Sequence, residues 1–239
     1  GMGMCDHCGA GGNMKQCLRC HSASYCGPDC QKDDWKKKHR KVCKQLAEAY
    51  AAKKSASADR RYDEGNFKGS EHHYDKVLQV QKAQQDSRRE SADDDAAHAN
   101  SLGRMGVVLG EQGKYEEALA KHKEAHEIRV RLHGSEHVDV AQSLGGMGAV
   151  LVQQGNFQLA LEHGEEALRI QLGELGQDHS AVDNTRSSIP NVHSAKKMLP
   201  EALRGHEEAL RIRRLTLGGG DLLVANSLHN IANVLLRQG

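Results

Sequence analysis

Apolar residues fall into short helical runs separated by polar turns, and from Ala99 onward these runs recur at a fixed interval. Leu102, Met105, Gly106 and Leu109 stand at i, i+3, i+4 and i+7, the spacing of one buried helix face. After a turn at Gly113-Lys114-Tyr115, the run Ala118, Leu119, His122 and Ala125 predicts a second helix. The segment Ala99-Asn100-Ser101-Leu102-Gly103-Arg104-Met105-Gly106 returns as Ala141-Gln142-Ser143-Leu144-Gly145-Gly146-Met147-Gly148. A third copy begins at Asp183 and a fourth at Ala225-Asn226-Ser227-Leu228, a constant step of 42 residues. A fixed period of helix-turn-helix units predicts a mainly α solenoid. Glycine inside a helix costs about 1 kcal/mol relative to alanine, so Gly106 and Gly148 imply close packing of paired helices, facing Ala118 and Ala160.

The pattern resembles tetratricopeptide repeats of the 42-residue, kinesin light chain-like kind. Gly113-Lys114-Tyr115 with Ala118-Leu119, and Gly155-Asn156-Phe157 with Ala160-Leu161, carry the likeness in register. The extra residues follow the second helix, where Gly134-x2-His137 and Gly176-x2-His179 recur; these histidines read as loop caps. The resemblance implies that the second residue of each unit points into a binding groove. Those residues are Asn100, Gln142, Asn184 and Asn226, with Asn191 and Asn233 nearby. All are amides, able to hydrogen-bond the backbone of an extended peptide without demanding one side-chain sequence. No Lys or Arg ladder at these positions suggests a carboxylate clamp.

A worn unit precedes the first clear one, because Gly65-Asn66-Phe67 matches Gly155-Asn156-Phe157. The acidic run Asp93-Asp94-Asp95 should cap the following helix, where carboxylates favour the helix dipole. The third unit departs from its own pattern. Pro190 falls where Gly148 sits, and a helix-interior proline costs about 3 kcal/mol or more. Lys197 replaces the turn glycine, so a kinked or loose segment is expected around Ser187 to Ala195. Pro200 suits the first position of the second helix. Gly239 aligns with the turn glycines, so the fourth unit has its first helix without its second, and the sequence reads as a piece of a longer protein.

The first 43 residues carry a different pattern: Cys5-x2-Cys8, Cys17-x2-Cys20, Cys26-x3-Cys30 and His39-x3-Cys43. This register uses all seven cysteines. Pairs at such spacing close on one ion, and a tetrahedral zinc site needs two pairs, so four pairs make two closed sites. An odd cysteine count argues against a disulfide framework, as does the lack of an apolar run in Gly1 to Ala10. Reduced thiols place the chain inside the cell. No stretch approaches the length of a membrane span. A finger this small would draw most of its folding free energy from metal. Spacing alone does not say which pairs share an ion.

Tyr25-Cys26-Gly27, Cys30-Gln31, Asp34-Trp35 and the closing His39-x3-Cys43 resemble a MYND zinc finger over Cys5 to Cys43. The resemblance implies a cross-braced arrangement, with Cys5, Cys8, Cys26 and Cys30 on one zinc and Cys17, Cys20, His39 and Cys43 on the other. It also implies a module that takes short proline-containing peptides, with Gln31 and Trp35 on the peptide surface. Trp35, the only tryptophan, equally suits the core of so small a domain. His7 and His21 lie beside ligands, but the eight positions are complete without them.

Charge changes one further expectation. Lys32, Lys36, Lys37, Lys38, Arg40, Lys41 and Lys44 oppose only Asp33 and Asp34, which suggests nucleic-acid binding. Thiolate-rich zinc sites carry negative charge, however, and the formal +1 of the chain becomes about −2 once thiolates and zinc ions are counted. Phosphate-backbone binders are far more basic, so nucleic acid is not expected as a partner. No phosphate loop, nucleophile elbow or metalloprotease helix occurs, and every cysteine has a metal role. MYND fingers also accompany SET-type lysine methyltransferases, but the repeats start near Ala58 and leave no room between for a catalytic domain.

Three segments are therefore expected: a finger over 1–45, a helical linker with the worn repeat over 46–98, and the repeat array over 99–239. The expected function is a non-catalytic adaptor with protein or peptide partners, no evident small-molecule substrate and two structural zinc ions. The alternative is a fragment of a SET-type methyltransferase or another larger regulatory protein. Metal analysis after exhaustive dialysis should find two tightly held zinc ions per chain; one or none would overturn the double-site assignment.

Overall fold

The computed structural model describes residues 40–85 and 92–238, together with four two-residue strands near the N-terminus. Those strands are β1 (Gly3–Met4), β2 (Gly11–Gly12), β3 (Lys15–Gln16) and β4 (Ser24–Tyr25). β1 pairs antiparallel with β2, Met4 opposite Gly11, and β3 pairs with β4, Gln16 opposite Ser24. Nine helices follow among the described residues: α1 (Arg40–Asp63), α2 (Phe67–Gln85), α3 (Ala92–Glu111), α4 (Tyr115–His133), α5 (Val138–Gln153), α6 (Phe157–Leu175), α7 (Ser180–Ala195), α8 (Leu199–Thr216) and α9 (Leu222–Gln238). The chain divides into two compact units, Gly1–Gln112 and Gly113–Gly239.

In the first unit α1 packs on α2 and α2 on α3. Ala47, Ala51 and Ala58 form the buried stripe of α1, and small side chains there let α2 bring Tyr74, Val77 and Val80 into contact range of the core. The three aspartates lie in the first turn of α3, as their charge predicts.

In the second unit each helix from α4 to α9 packs on the next. The repeat is visible in the helix boundaries. Second helices begin at Tyr115, Phe157 and Leu199, and first helices at Val138, Ser180 and Leu222, every step being 42 residues. Val140, Ala141 and Leu144 of α5 meet Ala167 and Ile170 of α6, with Val130 and Met147 packed beside them. At Gly148 a Cβ would sit 3.5 Å from the Ala160 carbonyl oxygen, which is ordinary van der Waals contact, so the paired helices touch there without approaching so closely that only glycine fits.

Two kinds of turn repeat. Between paired helices, Gly65, Gly113 and Gly155 take φ of 71°, 75° and 81°, and Lys197 takes 64° at the equivalent position. The same hydrogen bonds close the turn in both cases: Gly155 N donates to Val152 O and Asn156 N to Leu151 O, as Lys197 N does to Ser194 O and Met198 N to His193 O. Left-handed backbone costs an L-residue about 1–2 kcal/mol, so the turn imposes its geometry on Lys197. Between successive units, the next helix is capped by a side chain accepting a backbone N–H. His137 Nδ1 accepts from Asp139 N at 3.2 Å and His179 Nδ1 from Ala181 N at 3.1 Å. Asp221, one period further, does the same for Leu223 N at 2.8 Å. Both histidines are loop caps, as their spacing suggests.

The third unit corrects the expectation of a loose segment, because α7 runs unbroken through Pro190. The proline ring is buried, and its space comes from the facing helix: a Cβ on Gly205 of α8 would lie 2.4 Å from Pro190 Cγ. Gly205 falls one period after His163, and Pro190 one period after Gly148, whose Cβ would approach the His163 Cβ. In the third unit the larger residue of the facing pair stands on the first helix and the glycine on the second, the reverse of the unit before it.

The same unit holds a buried ion pair. Arg213 of α8 donates from Nε and Nη2 to the Asp183 carboxylate of α7 at 2.8–3.0 Å, and from Nη2 to Ser187 Oγ at 2.5 Å. Its Nη1 donates to Leu223 O and to Ser227 Oγ of α9. One guanidinium thus ties three helices. Arg129, two periods earlier, makes the matching bonds to Asp139 O and Ser143 Oγ. His122 is another buried polar group, with its ring so close to Gly146 that a Cβ there would sit 2.5 Å from Cε1. Burial, reinforced by Arg129, pushes its pKa down to about 4, and His206 is lowered for the same reasons with Arg213 as the neighbour.

Two outcomes follow. R213Q leaves the Asp183 carboxylate unpaired in a site where it is only 16% exposed, and breaking such a pair costs about 3–5 kcal/mol. D183A installs the residue found at Ala99, Ala141 and Ala225. The D183A/R213Q pair should therefore lose much less than the sum of the single losses in urea denaturation, whereas additive losses would exclude the coupling. Second, His122 stays neutral in the folded state and takes a proton near pH 6.5 when unfolded. Stability is then complete above that pH and falls as acid is added towards pH 4. Between pH 7 and pH 5 the loss should be about 2 kcal/mol for this group, and H122L should flatten that part of the pH profile.

Candidate functional site

Of the eight expected zinc ligands, Cys43 is the one among the described residues; Cys5, Cys8, Cys17, Cys20, Cys26, Cys30 and His39 lie outside them, as do Gln31 and Trp35. Cys43 sits in the first turn of α1 and is 2% exposed. The ladders add a topological observation. Cys5 and Cys8 fall in the segment whose ends are joined by the Met4–Gly11 pair, and Cys17 and Cys20 in the segment joined by Gln16–Ser24. The chemistry of the donor set, thiolates with one imidazole, fits zinc. Bound there, the ion would be held by thiolates and one imidazole and would supply structural cross-linking.

The groove amides are described in full. Asn100 on α3, Gln142 on α5, Asn184 on α7 and Asn226 on α9 are all exposed, each next to a buried or half-buried residue of the same turn. Asn191 and Asn233 are exposed as well. Of the four, Asn100 lines a defined depression. An open cleft of about 350 Å³ lies between α1, α2 and α3, bounded by Glu48 and Ser55, by Gln81, and by Asp94, Asn100 and Arg104. Ala51 and Ala52 of α1 and Val77 of α2 supply apolar lining.

One end of the cleft is held by a polar network. Arg104 Nη1 donates to Asp59 Oδ1 at 2.6 Å, and the Tyr74 hydroxyl donates to the same carboxylate oxygen. Burial raises the Tyr74 pKa to about 12, with its bond to Asp59 adding to the effect. The phenol therefore remains a donor throughout the physiological range. Arg104 is left mostly exposed despite this anchoring, with 58% of its side chain accessible. A cleft with an apolar floor, two amides, two carboxylates and a fixed guanidinium can hydrogen-bond an extended chain along one wall and place side chains against the other.

Asn100 is the one cleft residue that the repeat register marks. Glu48, Ser55 and Gln81 belong to segments read as linker and worn repeat, where no periodicity marks an inward face. Asp94, in the acidic first turn of α3, also forms cleft wall. Arg104 carried a readable signal, since Gly146, Ser188 and Asn230 occupy its place in the other copies.

With this geometry in hand, the class is evident: a helical repeat protein with a cysteine-rich N-terminal module. Residues 5–43 match the MYND finger family and residues 97–172 match the tetratricopeptide repeat family. The chain carries a MYND finger, a zinc-binding module, followed by tetratricopeptide repeats, the make-up of a protein-interaction scaffold. Among solved structures it is similar to BtubC (BKLC) from P. vanneervenii, at 19% identity and TM-score 0.68, covering 87% of this chain and 78% of that one. It is also similar to a kinesin light chain-type protein with nearly identical repeats from Podosopora anserina, at 19% identity and TM-score 0.66, covering 79% and 86%. At this identity the likeness concerns the fold. No helix among the described residues is long and apolar enough to cross a membrane.

Proposed function

We propose that the chain is a non-catalytic intracellular adaptor that holds one peptide at the finger and another in the repeat groove. The observation that carries the reading is the cleft at α1, α2 and α3, in which Asn100, an expected groove residue, lies beside the anchored Arg104. Exposed amides at the same register on α5, α7 and α9 extend the same chemistry through the second unit. Backbone-directed hydrogen bonds give affinity for extended chains, and flanking side chains add selectivity. Two closed zinc sites, with the ligand sets Cys5, Cys8, Cys26, Cys30 and Cys17, Cys20, His39, Cys43, leave no open position for water and act as structural staples. Gln31 and Trp35 would form the peptide surface of the finger. A partner engaging both modules gains through effective concentration, without any new contact.

Panning a random peptide library on the full chain tests this. Two classes of binder are expected, neither displacing the other. N100A with R104A should weaken one class about tenfold and leave the other unchanged, and W35A should do the reverse. A single class, or methyl transfer from S-adenosylmethionine to histone by this chain, would overturn the reading.

A further inference from the structure

His133, at the end of α4, and His137, the cap of α5, stack with ring centroids 4.2 Å apart and an interplanar angle of 20°. Both rings turn a nitrogen towards one carboxylate oxygen. Asp139 Oδ2 is 3.5 Å from His133 Nε2 and 3.6 Å from His137 Nδ1. Zinc with nitrogen and oxygen ligands at roughly 2.0–2.2 Å puts neighbouring donors about 3.3–3.6 Å apart in a tetrahedron. The two nitrogen–oxygen separations match that spacing, and one donor atom from each of the three residues lies within 4.8 Å of the others.

The far side of His137 is also arranged. Its Nδ1 accepts the cap bond from Asp139 N, so the ring proton is on Nε2, which is 3.7 Å from Glu174 Oε1. Glu174 is itself fixed, accepting a hydrogen bond from Val138 N. A carboxylate facing the second nitrogen of a ligating histidine fixes its tautomer and raises its basicity. Nδ1 has one lone pair, so coordination there exchanges the 3.2 Å cap bond from Asp139 N for the bond to the metal.

The repeat frame separates this cluster from scaffold. His137 has a sister cap in His179, but His133 corresponds to Leu175 and Leu217, Asp139 to Ala181 and Leu223, and Glu174 to Leu132 and Thr216. Three polar groups replace residues that the other copies leave mostly apolar, and all three gather around the one shared histidine. His133 is exposed and the other two donors are half-buried, so an ion can enter from solvent.

We infer that His133, His137 and Asp139 form a divalent transition-metal site at the α4–α5 turn, separate from the finger, with zinc as the fitting ion and Glu174 orienting His137. Two imidazoles and one carboxylate suit zinc, nickel or copper over calcium or magnesium. Three protein donors leave a fourth position for water.

The test uses the full chain with its finger zinc in place, dialysed against excess Zn2+ and analysed for metal. The wild type should bind one zinc more than H133L or D139A. These variants carry the residues of the sister repeats and should keep the wild-type helical circular dichroism. H179A, which removes an ordinary cap, should leave the zinc count unchanged. Equal counts in wild type and folded variants would overturn the site. A readout that needs no variant is diethyl pyrocarbonate footprinting, in which added Zn2+ should protect His133 and His137 at least fivefold and leave His179 reactive. Equal reactivity with and without zinc would also overturn it.

Discussion

A pair of helices of this length cannot cover its own apolar face, and every other feature of the second unit follows from that. The uncovered stripe of one pair must meet the next pair in the same register, so any slip in period would expose a full face. The 42-residue step in helix starts is the outcome. It constrains both kinds of turn. The tight turn needs left-handed backbone at one position, and Lys197 adopts it where glycine stands elsewhere because shifting the turn would shift the stripe. The longer turn needs an acceptor for the first free N–H groups of the next helix, and histidine or aspartate serves equally well.

The same constraint explains how polar groups enter the core. A position fixed in register faces the same neighbours in every copy, so a departure there must be answered across the interface. Pro190 is answered by Gly205, the bulk of His122 by Gly146, and the Asp183 charge by Arg213. Burying a charge without its partner costs several kcal/mol, far more than either residue contributes alone. Arg129 and Arg213 show that the guanidinium has a standing place between second and first helices, with a serine hydroxyl and a carbonyl ready in both copies. Asp183 takes up donors that are already pointing at it.

These pairings also mark what was legible in the sequence. The helix-turn-helix units, turn glycines and histidine caps are local, contained within a few residues, and periodicity exposes them. The MYND finger family is legible for the same reason, since its motif spacing is contained within residues 5–43. Compensation is not local. Pro190 reads as a kinked or loose joint because its answering glycine lies on the next helix, and Asp183 reads as an ordinary copy start because Arg213 is thirty positions away. The cleft around Asn100 escaped for another reason: two of its three walls come from α1 and α2, where the repeat is worn and small alanines rather than a periodic stripe set the packing.

Departures from the repeat therefore divide by where they face. Those facing the core come in compensating pairs and keep the array together. Those facing solvent need no such partner, because a surface substitution changes stability by about half a kcal/mol or less, and the scaffold leaves their identity open. Arg104 and the trio His133, Asp139 and Glu174 belong to this second group. Each is tied to a neighbouring group: Arg104 to the Asp59 carboxylate that Tyr74 also bonds, and the trio to the cap histidine. A fixed cap is a good starting ligand, since its ring is oriented before any ion arrives and little rotamer freedom remains to be lost on binding. Regular architecture thus does two things at once. It secures the fold through register, and it offers preoriented side chains at its turns on which local chemistry can be built.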